Sequence, residues 1–335
     1  MRAPEFWAAP PGAAAQLLAP VAALWGAAAQ RRQRRAAHAV RVPAPVACVG
    51  NLVAGGAGKT PVALSLAALA GARGIAAHVV TRGYGGCLKG PLRVDPACHD
   101  AAMVGDEALL IAAEAPCWLA RDRAAGARAA AVAGADLVLL DDGLQNPAIA
   151  KDLSLIVIDA EYGFGNERLM PAGPLREPII AGLARADAIV LIGAGEPPPA
   201  VRASGLPVLR ARLQPRHGEG FAGARVVAFA GIGRPAKFFA SLTALGAILV
   251  AAHPFPDHHR YRARELARLR REAARAGARL VTTAKDRVRL PAALQSGIET
   301  LDIELRWDDP AIILGLLSRL APALSGGYDR RAASD

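Results

Sequence analysis

The sequence predicts an α/β protein: a mostly parallel sheet flanked by helices, a second and smaller α/β unit after it, and an apolar helical segment before it. Three observations predict this. Short apolar runs alternate with helical stretches from residue 45 onward, a glycine-rich turn separates the first run from the first helix, and proline and glycine interrupt the alternation once, at 194–224. Strand–helix alternation at this spacing builds βαβ units, whose parallel sheet is covered on both faces.

Taken in order, residues 45–50 read as a buried strand and 59–70 as a helix. A strand follows at 75–81, then helices at 105–115 and 122–133. Further strands are expected at 137–140, 153–158 and 188–192. In the connector, Pro197-Pro198-Pro199, Pro207 and Pro215 flank an extended piece at 208–213. The second series has strands at 226–230, 248–252 and 279–283, and helices at 235–245, 260–276 and 310–320. The expected units are therefore 1–36, 37–205, 206–325 and an unstructured tail at 326–335, with a cleft between the two α/β units.

A chain of 335 residues is long enough for two cores, and 53% hydrophobic content excludes a disordered chain. A formal net charge of +11 favours anionic partners, or reflects surplus arginine on solvated faces. No stretch interleaves aromatic residues with a basic stripe, so nucleic acid is not an expected partner. The four cysteines, Cys48, Cys87, Cys98 and Cys117, form no C-x-x-C pair. That argues against a thiolate metal site or a disulfide framework and for reduced thiols.

Residues 3–29 are mostly apolar and are followed by Arg31-Arg32-Gln33-Arg34-Arg35. Glu5, Pro10, Pro11, Gln16, Pro20 and Gly26 interrupt the run too often for a good spanning helix, and the charge comes after it, unlike a signal peptide. Trp7, Trp25 and the basic cluster suit a helix lying in the headgroup region of an anionic membrane. The competing readings are a helix packed on the protein's own body and a single span.

The chemistry starts at Val46-Ala47-Cys48-Val49-Gly50-Asn51-Leu52-Val53-Ala54-Gly55-Gly56-Ala57-Gly58-Lys59-Thr60. Strand, glycine-rich turn and helix start form the context of a phosphate loop. Gly55, Gly56 and Gly58, with Ala57 between them, let backbone N–H groups turn towards phosphate oxygens, and the helix start adds its partial positive charge. Lys59 would bridge the β- and γ-phosphates of ATP and Thr60 would hold Mg²⁺. The general pattern G-x-x-x-x-G-K-[ST] wants glycine where this chain has Val53. Leu137-Val138-Leu139-Leu140-Asp141-Asp142-Gly143 is an apolar strand ending in two acids, which in such a fold sit beside the loop and serve the Mg²⁺ shell. Two further segments are weaker alone. Asp106-Glu107 opens a helix, where acids are favoured anyway. Arg82-Gly83-Tyr84-Gly85-Gly86 follows a strand, where Arg82 or Tyr84 would face the nucleotide crevice.

Together VGNLVAGGAGKTP, TRGYGG, VGDEALL, LLDDGLQN and GFGNERLMPAGPLREP, in this order, resemble the tetraacyldisaccharide 4′-kinase family. The later half is similar through FPDHHRY and TTAKDRV, and the departure at Val53 is typical of the family. The resemblance implies an enzyme that uses ATP and Mg²⁺ at the cytoplasmic face of the bacterial inner membrane. It would phosphorylate an acylated disaccharide lipid, the lipid A precursor, with no obligate protein partner. It implies that Asp106 receives the sugar hydroxyl's proton with His258 as its partner. Glu107, Asp141, Asp142 and Gln145 would arrange Mg²⁺ and water, and Arg176 would stabilise charge on the transferring phosphoryl. His259 adjoins His258, and with His253 the three would alternatively suit zinc. The glutamate that the family has before Lys285-Asp286 is Ala284 here. The arginines of 260–275 would face solvent, anionic lipid or the substrate's 1-phosphate. A nucleotide-hydrolysing switch and a membrane adaptor are the other function classes considered; an N-K-x-D guanine signature is absent, Thr283-Ala284-Lys285-Asp286 standing there instead.

Overall fold

The computed structural model describes residues 4–34 and 38–320, so Arg35 and the tail at 326–335 lie outside the described residues. After a single turn at Glu5–Trp7 come two helices set end to end, α1 (Ala13–Leu17) and α2 (Ala19–Gln33). The first α/β series is β1 (Val46–Gly50), α3 (Lys59–Gly71), β2 (Ala77–Thr81), β3 (Leu92–Arg93), α4 (Ala101–Val104), α5 (Asp106–Glu114), β4 (Cys117–Leu119) and α6 (Arg123–Val132). It continues through β5 (Leu137–Asp141), β6 (Leu153–Asp159), α7 (Ile179–Leu183), β7 (Ala188–Ile192), α8 (Pro199–Ser204) and β8 (Val208–Arg216). The second series is β9 (Arg225–Ala230), α9 (Pro235–Ala244), β10 (Ile248–Pro254), α10 (Ala263–Arg275), β11 (Arg279–Thr283), α11 (Ala284–Arg287), β12 (Ile298–Trp307) and α12 (Pro310–Ser318).

The strands form one hydrogen-bonded series in the order β10-β9-β11-β12-β8-β7-β6-β1-β5-β2-β4-β3. Neighbours are parallel except at β8·β12 and β3·β4. The β8·β12 contact is staggered. The start of β8 pairs with β7 through Val208–Ala211, whereas its remainder pairs with β12 through Ala211–Arg216. Likewise Ile298–Leu301 of β12 pair with β11, and Asp302–Trp307 pair with β8. This antiparallel ribbon sets the second series beyond the carboxyl edge of the first with its strands reversed, so the carboxyl ends of both series face one crevice.

Each half has two cores, one per sheet face, because successive strand residues point to opposite sides. In β1, Ala47 and Val49 face α3 and α12, where Val62, Leu66, Ile313 and Leu316 are buried, while Val46 and Cys48 face Ala124 and Ala127 of α6. In β9, Val226 and Ala228 pack on Phe238 and Leu242 of α9, and Val227 and Phe229 on Leu266 and Leu269 of α10. The last helix therefore returns to the first core, and Trp307 Nε1 donates to Ser65 Oγ at 2.8 Å.

Strand β12, absent from the sequence expectations, has a legible signal: Leu301, Ile303, Leu305 and Trp307 alternate with Asp302, Glu304 and Arg306. Helix α10 begins at Ala263, not at residue 260, because Glu265 Oε2 accepts from the Arg262 N–H at 2.7 Å and caps the helix there. Arg260 and Arg262 thus precede the helix, and Arg270 donates to the Leu294 and Ser296 carbonyls. The remaining arginines, Arg264, Arg268, Arg271 and Arg275, line its outer side.

The N-terminal helices lie on the protein body by their small residues. Ala15, Ala22 and Gly26 are buried, and Gly26 is packed so closely on Leu169 that an added Cβ would stand 2.7 Å from its Cδ1. Trp7 Nε1 donates to the Pro171 carbonyl at 3.0 Å and Trp25 Nε1 to that of Arg176 at 2.9 Å. Leu17, Val21 and Leu24, spaced on one helical face, stay outside. No helix among the described residues is long and apolar enough to cross a membrane.

Ile313→Ala empties a fully buried site on α12 and should cost about 3 kcal/mol of stability in urea unfolding. The adjacent Ile312→Ala, 45% exposed, should change it by less than about 0.5 kcal/mol.

Candidate active site

The phosphate loop leaves β1 at the centre of the sheet and enters α3 through Gly58, whose φ of +88° suits glycine alone without strain. Gly55 has φ +115°, and among the described residues no atom lies within 4 Å of where a Cβ would stand on Gly55 or Gly56, so the loop is open on that side. Val53 is not in the turn proper. It forms an antiparallel bridge with Leu175, Ala54 N–H donates to Pro174 O at 2.8 Å, and Arg176 N–H donates to Leu52 O at 2.8 Å. A buried, extended position gains from valine and has no use for glycine's freedom, which accounts for the departure from the general pattern.

That same bridge carries Arg176 to the loop. Its Nη1 lies 2.7 and 2.9 Å from the two carboxylate oxygens of Asp142, and Lys59 Nζ stands 3.8 Å from Asp142. Gln145 completes the cluster: Oε1 is 3.4 Å from Arg176, and Nε2 donates to Asn51 O at 2.8 Å and Glu177 Oε1 at 3.0 Å. Asp141 stands beside β1 because β5 pairs with it, Val49 against Asp141. Thr60 Oγ1 reaches Asp141 Oδ2 at 3.5 Å.

Across the crevice the two weaker motifs meet. Gly105 takes φ +85° with its Cβ position 2.4 Å from Tyr84 O, and a Cβ on Gly86 would stand 2.7 Å from Gly105 N, so only glycines let the two turns touch. This contact sets Asp106 at the start of α5. His258, in the loop after β10 and at φ +58°, places Nδ1 3.1 Å from Asp106 Oδ2, with its ring 5.6 Å from that of Tyr84. Since the carboxylate only accepts, that Nδ1 carries the proton. It is His258 and not His259 that reaches Asp106. His259 bonds Glu265 at 3.1 Å and His253 faces Glu272 at 3.0 Å, so three different carboxylates separate the histidines proposed for zinc.

Two buried aspartates are tuned in opposite directions. Burial would raise the Asp106 pKa, but the His258 hydrogen bond and the Arg289 guanidinium outweigh it and hold the group well below the usual carboxylate range. His258 is raised in turn, first by that hydrogen bond. Asp141 is pushed up to about 7, by burial first and then by the charge of Glu107, with Lys59 opposing. Asp142 is lowered because Lys59 and Arg176 outweigh its burial.

The donor set suits a hard divalent cation. Among the described residues Asp141 Oδ1 is buried with no hydrogen-bond partner, the Thr60 hydroxyl stands 3.5 Å from Oδ2, and the charges of Glu107 and Asp142 are felt there. Among the described residues both polar atoms of the fully buried Asn51 side chain are likewise unpartnered at the head of the loop.

The structure thus brings Lys59, Thr60, Asp141, Asp142, Gln145 and Arg176 into one cluster, and Asp106, His258 and Tyr84 into another. Glu107 lies between them, felt by Asp141 and bonded to Lys285 Nζ at 2.9 Å. Tyr84 sits against the imidazole and not on the loop. Sequence reasoning missed Asn51, Glu177, Lys285 and Arg289. Glu177, 2% exposed, pairs with Arg185 at 2.6 Å, and Arg289 donates through Nε to Asp106 Oδ2 at 2.9 Å. Lys285, Asp286 and Arg289 stand within one helical turn in the sequence, but nothing in that spacing points to Asp106.

The profile of the tetraacyldisaccharide-1-P 4′-kinase family matches residues 14–321. A tetraacyldisaccharide 4′-kinase of Rhodospirillum centenum is 56% identical over 99% of this chain and 100% of its own length. One from Dinoroseobacter shibae is 54% identical over 96% and 98%. Among solved structures, LpxK from Aquifex aeolicus, crystallised with ATP, superposes with a TM-score of 0.73 at 24% identity, covering 91% of this chain and 99% of that one. Matched nearly end to end by relatives more than half identical to it, this chain belongs to the tetraacyldisaccharide 4′-kinase family.

Proposed function

We infer that the protein transfers the γ-phosphate of ATP to the 4′-hydroxyl of an acylated disaccharide 1-phosphate, the lipid A precursor. The observation that carries this is the Asp106–His258 pair facing the crevice of a phosphate loop. A nucleotide-hydrolysing switch has no need of a base prepared for an acceptor hydroxyl, and an adaptor needs neither.

Phosphoryl transfer requires positioning and charge compensation, not covalent chemistry. Loop N–H groups and Lys59 hold the β- and γ-phosphates. Arg176, now bound to Asp142, is placed to take up charge on the transferring group. Asp106 accepts the hydroxyl proton as the sugar oxygen bonds to phosphorus and ADP leaves; His258 orients the carboxylate. Mg²⁺, held by Thr60, Asp141, Asp142 and Glu107 with Gln145 arranging water, would neutralise the phosphate oxygens.

The same reading places the protein on the cytoplasmic face of the inner membrane. The outward stripe of Leu17, Val21 and Leu24, followed by exposed Arg31, Arg32 and Arg34, suits a helix seated in anionic headgroups. Helix α2 also touches the backbone of two site residues, since Trp25 bonds Arg176 O and Gln33 bonds Gln145 O at 3.3 Å. A lipid held along α2 would thus present its head group at the crevice.

Purified protein given labelled ATP, Mg²⁺ and detergent-dispersed disaccharide lipid should move label into the lipid. Lys59→Ala and Asp106→Ala should each slow this by about a hundredfold or more. Label released only as inorganic phosphate would replace the kinase with a switch. For the membrane, L17E combined with L24E should abolish co-sedimentation with anionic vesicles while leaving the melting temperature unchanged, because both side chains are more than 70% exposed; undiminished sedimentation would remove α1 and α2 as the anchor.

A further inference from the structure

We propose that Arg289 is a positioning residue of the transfer: a buried guanidinium that fastens Asp106, in the first half of the chain, to the second half. This rests on Asp106 being the base. Arg289 is 5% exposed at its side chain and lies between two aspartates as buried as itself, Asp106 at 4% and Asp286 at 0%. Nε and Nη2 both donate to Asp106 Oδ2, Nε at 2.9 Å. Nη1 donates to Gly231 O at 2.6 Å and Asp286 Oδ1 at 3.1 Å. Asp286 is fixed in turn by the Gly231 N–H at 2.9 Å, the Tyr261 hydroxyl at 2.8 Å and the Thr283 hydroxyl at 2.7 Å.

Other ion pairs also cross the crevice. Lys285 meets Glu107 at 2.9 Å, and Asp159 at the end of β6 meets Arg234 at 3.0 Å and Lys237 at 3.4 Å. These are partly exposed, so screening leaves them little strength. The Arg289 bridge is almost wholly desolvated. Burying such a charge costs more than packing an apolar side chain, so its return lies in specifying one geometry. Arginine suits the place because its planar fork binds a carboxylate along one edge and still has Nη1 for the other half. With Oδ1 taking the Glu107 N–H at 3.0 Å, Asp106 is held on both oxygens, and His258 is held to it. One side chain thus bears on both the aim of the carboxylate and the approach of the two halves.

The test compares R289M and R289K with wild type, counting active sites by nucleotide binding. R289M should lose about a hundredfold in kcat, the scale of an ångström-sized misplacement, with KM for ATP within about threefold. R289K keeps the charge but has no fork, and should recover only to roughly a tenth of wild type. Amide exchange at Gly231 and His258 in the protein without substrate should quicken in R289M. A variant that keeps wild-type kcat per nucleotide-binding site overturns the proposal, even if its melting temperature falls. Where R289M does not fold, R289K decides: a tenfold loss at unchanged melting temperature supports the bridge, and full activity overturns it. If wild type labels no lipid, the kinase reading itself fails. Exchange then decides alone, and unchanged rates in R289K and R289M overturn the bridge.

Discussion

The antiparallel ribbon of β8 and β12 is the constraint on which the site depends. Parallel pairing at that point would have aimed both series of strands the same way and left their carboxyl ends along one edge. The reversal, with Asp302 opposite Arg216 and Trp307 opposite Ala211, turns the second series back on the first. Loops after β10 and β11 therefore meet the helix start at Asp106. Open α/β sheets bind ligands at strand carboxyl ends; here two such edges close on a single crevice.

Within that crevice, identical side chains acquire different chemistry from their surroundings. Asp106 and Asp141 are both buried, yet one is stabilised as an anion by His258 and Arg289 and the other is pushed up to about 7 next to Glu107. Burial penalises charge at both positions, and the difference lies in compensation. Asp106 has a backbone N–H on one oxygen and the Arg289 and His258 donors on the other, whereas Asp141, among the described residues, keeps one oxygen without a partner. A divalent cation fits the second environment and would be superfluous in the first. The difference between the two carboxyl groups thus follows from neighbours, and the neighbours follow from the fold.

The N-terminal helices show a comparable division on a surface. Alanine and glycine face inward, Gly26 against Leu169 where no side chain would fit, and leucine and valine are left outside. An inverted amphipathic helix of this kind is costly in water and favourable in headgroups. Its inner hydrogen bonds end on the backbone of Arg176 and Gln145, so the surface that would meet lipid and the residues that would meet phosphate share one support.

From the sequence alone came the alternating series, the phosphate loop, the paired acids of β5 and the motifs of the family, because each is a run of adjacent residues whose chemistry is readable at short range. Strand β12 was legible in its period of two but escaped notice, and with it the orientation of the halves. Arg289 was not legible as a site residue, since nothing near it in the chain announces Asp106, 183 residues away. His258, 152 residues from Asp106, was singled out only by its resemblance motif, and only the folded chain distinguishes it from His259. Local sequence determined that the protein has a phosphate loop and an acid at a helix start; the tertiary structure decided which distant charges surround that acid, because desolvation and pairing act through space and not along the chain.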